Sequence, residues 1–176
     1  MSPLRALQET ANVESQMNGY SVNIGVGNQL GAKLRVAPGE SDSGIAVVEH
    51  TLPPKKLGAP LHRHTREDEI SYVLEGELAV KEGEDVTVAE AGEFVVKQRG
   101  MWHTFWNPGS ETVRFLEIIV PGDFAEYFEE ISEVGSGGSP REEQAEERLK
   151  GLREEYGFES DPSSVEELVE KHGLER

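Results

Sequence analysis

Three histidines and one glutamate stand at spacings that can place four ligands around one cation: His62, His64, Glu69 and His103. His62 and His64 are separated by one residue. In a strand both imidazoles therefore lie on one face, because side chains alternate with a period of two. Glu69 opens the apolar run Glu69-Ile-Ser-Tyr-Val-Leu after the charged segment 65–68, a hairpin that can bring its carboxylate back to the pair. His103 follows 34 residues later, inside Met-Trp-His-Thr-Phe-Trp-Asn. Three imidazoles and a carboxylate suit one divalent transition metal (Fe, Mn, Ni, Co, Cu or Zn), with one or two positions open to water or substrate. The chain has no cysteine, so thiolate sites, disulfides and cysteine nucleophiles are excluded. His50 and His172 lack such company and read as structural. Glu67 and Asp68 could compete with Glu69, but they read as solvated turn residues, whereas Glu69 heads a strand.

The elements that must position these ligands are short strands. Candidates are Leu30–Val36, Ile45–Leu52, Glu69–Leu74, Glu77–Lys81, Asp85–Ala89, Glu93–Lys97, His103–Trp106 and Thr112–Val120. Turn formers such as Pro38-Gly39, Pro53-Pro54, Gly76, Gly92 and Gly100 separate them. Strands at this rhythm predict an antiparallel sandwich or barrel instead of alternating βαβ units. On the strand holding His103, Phe105 and Asn107 share its face. Trp102, Thr104 and Trp106 face away, the tryptophans to pack in the sheet or at a subunit interface.

After Pro121-Gly122 the period becomes helical. Phe124, Tyr127, Phe128 and Ile131 predict a helix over Asp123–Glu133, and Gly135–Pro140 reads as a flexible joint. A second helix is expected over Arg141–Tyr156, stopped by Gly157, and a third over Ser163–His172, capped by Gly173. The expected division is an N-terminal arm at 1–19, a barrel at 20–122 and C-terminal helices at 123–176 packing on the barrel.

Composition narrows the function. With 34 acidic and 17 basic residues in 176, the net charge is −17, a field that repels phosphate backbones. No nucleic-acid partner is expected. No apolar run serves as a signal-peptide core or membrane span, so a soluble cytoplasmic protein is the expectation.

His62-x-His64-x4-Glu69-x6-Gly76 resembles the first motif of the cupin superfamily, and Gly92-x5-Gln98-x-Gly100-x2-His103-x3-Asn107 resembles the second. Gln98 stands where the second motif usually has proline. Lys56 stands where a glycine usually precedes the first histidine. Both are turn positions. The resemblance implies an all-β cupin barrel (a double-stranded β-helix, or jelly roll) and His62, His64, Glu69 and His103 as metal ligands. It also implies a homodimer.

Pro-Gly-Asp-Phe-Ala-Glu-Tyr-Phe at 121–128, with the turn Tyr156-Gly157-Phe158, looks like single-domain, quercetin 2,3-dioxygenase-like cupins. That likeness implies a dioxygenase acting on a flavonol-like or β-diketone-like enol or phenol, with Glu69 as ligand and general base and O2 as co-substrate. Phe105, Ser71 and Val73 would line the pocket. A second reading is metal-dependent isomerisation or hydrolysis of a small polar carbonyl compound, using Lys97, Arg99, Arg63 and Arg66 at the mouth. A third is binding without turnover.

Overall fold

The computed structural model describes residues 19–136 and 142–175. Strand β1 is Ser21–Ile24, β2 Leu30–Val36, β3 Ala46–Leu52, β4 Leu61–His64, β5 Asp68–Glu75 and β6 Glu77–Glu82. Strand β7 is Asp85–Glu90, β8 Phe94–Lys97, β9 His103–Trp106, β10 Val113–Val120 and β11 Phe158–Asp161. They form two antiparallel sheets, β1-β2-β3-β10-β5-β8 and β11-β4-β9-β6-β7. The architecture is a cupin β-barrel with short C-terminal helices. Every expected strand is present with bounds within about a residue. The short β1 and β11 were not expected.

Alternation sets the interior. Along β10, Val113, Phe115, Glu117 and Ile119 are buried while the residues between them are half-buried or exposed. Along β5 the buried set is Glu69, Ser71 and Val73, and β3 contributes Ala46, Val48, His50 and Leu52. The apolar members of this set join one core with Phe105 from β9. A fully buried side chain of that size contributes roughly 1.5–3 kcal/mol, which makes the polar residues at the same inward parity conspicuous.

A 3-10 turn at Gly122–Phe124 leads into helix α1, Ala125–Ser136. Helix α2 is Glu142–Tyr156 and α3 is Ser164–His172. Gly135 and Ser136, expected in the joint, are helical, and 137–140 lie outside the described residues, as do positions 1–18 of the expected arm. Helix α1 buries Ala125, Tyr127 and Phe128 in the barrel core. The Tyr20 hydroxyl donates to the Ala125 carbonyl at 2.7 Å and fastens the helix start to the barrel. Gly157 follows α2 with φ +65°, where a Cβ would be strained and would press on Thr65 and Arg66. That reversal lets 158–161 run back as β11 along β4, with Phe158 opposite His64 and Ser160 opposite His62.

Helix α3 covers the outer face of the second sheet. Val165, Leu168 and Val169 pack with Leu57 and Trp106, and His172 stacks on Trp106 at 4.0 Å. Trp106 therefore packs on the sheet under α3. Trp102 lies beneath the Arg63 guanidinium. Among the described residues, no helix is long and apolar enough to cross a membrane.

Candidate metal centre

His62 and His64 both point inward from β4, as the period of two requires, and are 4 % and 2 % exposed. Strand β4 meets β9 through the single pair His62–His103, and β5 brings Glu69 in from the facing sheet. The four side chains converge: one ligand atom from each lies within 4.8 Å of all the others. The Nε2 atoms of His64 and His103 are each 3.4 Å from the same Glu69 oxygen, Oε2.

The outer nitrogens explain why the inner ones are free. His62 Nδ1 faces the Pro60 carbonyl at 2.7 Å, and His103 Nδ1 faces that of Met101 at 3.0 Å. A carbonyl only accepts, so in both rings the proton sits on Nδ1 and the Nε2 lone pair is left for the cluster. In His64 the same role falls to the Glu67 carboxylate, 2.6 Å from Nδ1. Buried Nε2 of His103 has no hydrogen-bonding partner. Burial, with repulsion from His103 and His64, holds the His62 imidazole well below its usual value, so it stays neutral. Neutral lone pairs and one carboxylate facing one point are the donor set of a divalent transition metal. The cluster fits a metal ion, as in cupins.

Glu67 corrects the reading of the sequence. It was expected in a solvated turn with Asp68, yet it is 4 % exposed and orients His64. Asp68 begins β5 and accepts the Arg99 backbone N–H at 2.9 Å. Neither joins the cluster.

Two further charged residues lie inside the barrel, and sequence reasoning missed their place. Lys97 was expected at the mouth but is 2 % exposed. Its Nζ sits 3.2 Å from Glu69 Oε2 and 2.6 Å from Glu117 Oε2, and Ser71 donates to Glu117 at 3.1 Å. Burial would lower the Lys97 ammonium, but Glu117 and Glu69 raise it further, and it stays charged. Burial would raise the Glu69 carboxyl, but His64 and Lys97 hold it well below the usual carboxylate range. One cation serves two carboxylates. Glu117 is pushed up to about 7 by burial, against the pull of Lys97 and with Glu69 adding to it. Parity was the available signal: Glu117 alternates with Phe115 and Ile119, and Lys97 with Val95.

A cavity of about 860 Å³ opens onto the cluster. Phe105 lines it as expected. Ser71 and Val73 do not; both are fully buried beside it. Much of its wall comes from the C-terminal elements, including Phe124, Tyr127 and Phe128. Phe124 meets His64 edge-on at 4.3 Å, and Phe158 lies 5.3 Å from both His62 and His64. His50 also lines the cavity, with Nδ1 on the Gly31 carbonyl at 3.0 Å. Burial lowers its pKa to about 4, which keeps it neutral.

The two departures from the cupin motifs have local explanations. The Gln98 N–H donates to Glu82 at 3.0 Å, a bond proline could not make. Before His62 the close approach falls at Gly58, whose N–H donates to the Phe105 carbonyl at 2.9 Å. A Cβ there would run into the Phe105 ring.

Comparison with known proteins agrees with this geometry. Residues 48–119 match the Cupin_2 family, cupin domain. A search of the curated proteins gave no significant match. Among solved structures, a predicted oxalate decarboxylase from Thermotoga maritima is 21% identical, covering 60% of this chain and 95% of its own, with a TM-score of 0.52. KdgF from Halomonas sp. is 18% identical over 53% of this chain and 79% of its own, at a TM-score of 0.47. The Streptomyces nucleoside dehydratase Pac13 is 11% identical over 61% and 79%, at 0.49. At 21% identity the likeness to the Thermotoga maritima protein speaks to fold alone, and one barrel hosts many reactions. The matched domain lies within the double-sheet barrel, and barrel and His/Glu cluster together have the cupin fold.

Proposed function

We propose that this cupin is a metal-dependent dioxygenase acting on a small, largely apolar molecule through an enol or phenol oxygen. The observation that carries the reading is the cavity: roughly the volume of a small-molecule site, walled by aromatic rings, with the cluster at its polar end. A sugar phosphate or other strongly polar substrate would need free cations at the mouth. Three of the four basic residues expected there are engaged instead. Lys97 is buried between two carboxylates, Arg63 pairs with Glu159 at 2.8 Å, and Arg66 donates to the Glu155 carbonyl at 2.6 Å.

His62, His64, Glu69 and His103 would hold the ion, which when bound supplies Lewis acidity and lowers the pKa of a coordinated hydroxyl. Glu69, anionic at neutral pH, accepts the proton of the substrate hydroxyl. The Lys97–Glu117–Ser71 chain behind it stores that proton, since a carboxyl poised near 7 exchanges protons readily at neutral pH. The aromatic wall excludes water from the electron-rich substrate. Both atoms of O2 end in the cleaved product, so no outside reductant is required. The family's homodimer remains part of this reading. Val86, Val88, Phe94 and Val96, 48–62 % exposed on adjoining β7 and β8, form an apolar strip suited to a second copy.

The test is an oxygen-electrode screen of flavonols and β-diketones with protein loaded in turn with each candidate metal. We expect O2 consumption matched to substrate loss. Turnover that continues under argon would remove the dioxygenase. We further expect about one metal per chain, lost in His62→Ala and His103→Ala, with Glu69→Gln keeping most of the metal and losing turnover. Elemental analysis checks the first and the electrode the second.

A further inference from the structure

The cavity has a second polar end, on the C-terminal helices. Arg153, in the last turn of α2, lines the cavity and is half-buried. Its guanidinium lies near the Tyr127 hydroxyl and opposes the upward push of burial on that group's pKa. Among the described residues, no carboxylate lies within ion-pairing distance of it. Other basic residues without an ion pair, such as Lys33, Arg66 and Arg99, do not line the cavity. Arg148 and Lys150 on the same helix are paired with Glu133 and Glu154, and Arg35, Arg63 and Arg114 also have carboxylate partners. The other cation in the cavity wall, Lys97, is saturated.

Two ring-to-ring steps connect Arg153 to the histidines. Tyr127, its neighbour, stacks on Phe124 at 4.9 Å, and Phe124 meets His64 at 4.3 Å. Phe124 and Tyr127 both line the cavity, so its wall between the two polar ends is aromatic. A guanidinium presents two parallel N–H donors to the two oxygens of a carboxylate. A phosphate would bring additional charge into an apolar space with nothing to meet it.

We propose that Arg153 is the anion anchor of this cavity and that its ligand is an aryl carboxylate. The acid end lies on Arg153 and the ring against the wall that Phe124 and Phe158 form together, their centroids 5.6 Å apart, reaching toward the His/Glu cluster. This deepens the function proposed above and takes from it only that the cavity is the ligand site. In a protein whose net charge repels anions, one guanidinium facing an aromatic pocket would also select for apolar acids over small polar ones.

The experiment is calorimetric titration of the full chain, stripped of metal by chelation, with 3-phenylpropanoate and with its uncharged amide. Charge-assisted hydrogen bonds of this kind correspond to about 10- to 100-fold in affinity, so the acid is expected to bind tighter than the amide by that factor. Arg153→Gln is expected to bring the ratio to about one, and Arg153→Lys to restore part of it. The ratio matters because damage to the fold weakens both ligands together. A wild-type protein that binds neither ligand, or both alike, overturns the proposal, as does an Arg153→Gln variant that keeps the preference. No turnover enters the measurement. Loss of the dioxygenase reading would leave this result standing, and equal binding of acid and amide would leave the oxygen-electrode result standing.

Discussion

Strands β5 and β10 carry charge on both sides of the same sheet, and the two sides treat it differently. Outside, Glu49 on β3 accepts from Arg35 at 2.7 Å and from Arg114 at 3.2 Å. Arg114 also donates to Glu75 at 2.7 Å, where a register shift at Arg114/Phe115 sets Glu75 opposite it. Inside, Glu69, Lys97 and Glu117 make a network of similar distances with almost no exposure. The outer network loses little hydration on forming and is screened by salt, so it contributes little. The inner one leaves water altogether, and its mutual attraction must offset several kcal/mol of desolvation per ion. Packing alone would favour apolar residues at 97 and 117. Their charge makes sense next to a His/Glu cluster that could hold a metal ion.

That contrast can be broken most forcefully at Lys97. Lys97→Met leaves two buried carboxylates without their cation, and the expected loss is about 3–5 kcal/mol, read by urea unfolding of metal-stripped protein. Adding Glu117→Gln is expected to recover part of it. A single variant as stable as wild type would mean that the inner carboxylates are already protonated.

A smaller effect separates the two sides by pH. His50 has a folded pKa lowered to about 4 from an ordinary 6.5. Between those values the unfolded chain binds a proton that the native barrel refuses. Stability from this group is thus complete above 6.5 and falls as pH drops toward 4. The total is on the order of 3 kcal/mol, at 1.36 kcal/mol per pKa unit. Depressed His62 and His103 act in the same direction. On the outer face Glu49 is lowered below 4.5, against burial, by Arg35 and Arg114, so its contribution fades only at more acid pH. Unfolding measured across this range is expected to show a slope that His50→Leu reduces. An unchanged slope in that variant would assign all of it to the cluster.

Least of all is expected from Arg114→Ala. Its effect on the unfolding midpoint is small at low salt and is expected to vanish at high salt. A loss that persists in high salt would show that the outer network behaves like a buried one.

The same inside–outside distinction governs how far the sequence could be read. Strand periods, turn residues and the His-x-His pair were local, so the barrel and the four ligands were legible. Glu117 sits in Arg114-Phe-Leu-Glu-Ile-Ile, where its inward parity was visible but its partner, twenty residues back in sequence, was not. Lys97 failed for the same reason, since only the pairing of β5 with β8 brings it opposite Glu69. Glu67 lay in a stretch rich in charge, and nothing local shows that its carboxylate turns under His64. Strand β11 is the four residues Phe-Glu-Ser-Asp. Their composition favours a turn, and only the open edge of β4 makes them a strand.

That edge has a temporal consequence. Strand β4, which bears two of the four ligands, touches β9 through a single residue pair, whereas β11 runs along its full length. An unpartnered strand edge is a template for wrong pairing, and a chain emerging from the ribosome folds from its N-terminal end. More than ninety residues must be made between His64 and the segment that closes its edge. The barrel can close early, but the strand that presents His62 and His64 gains its second neighbour only when residues 158–161 appear.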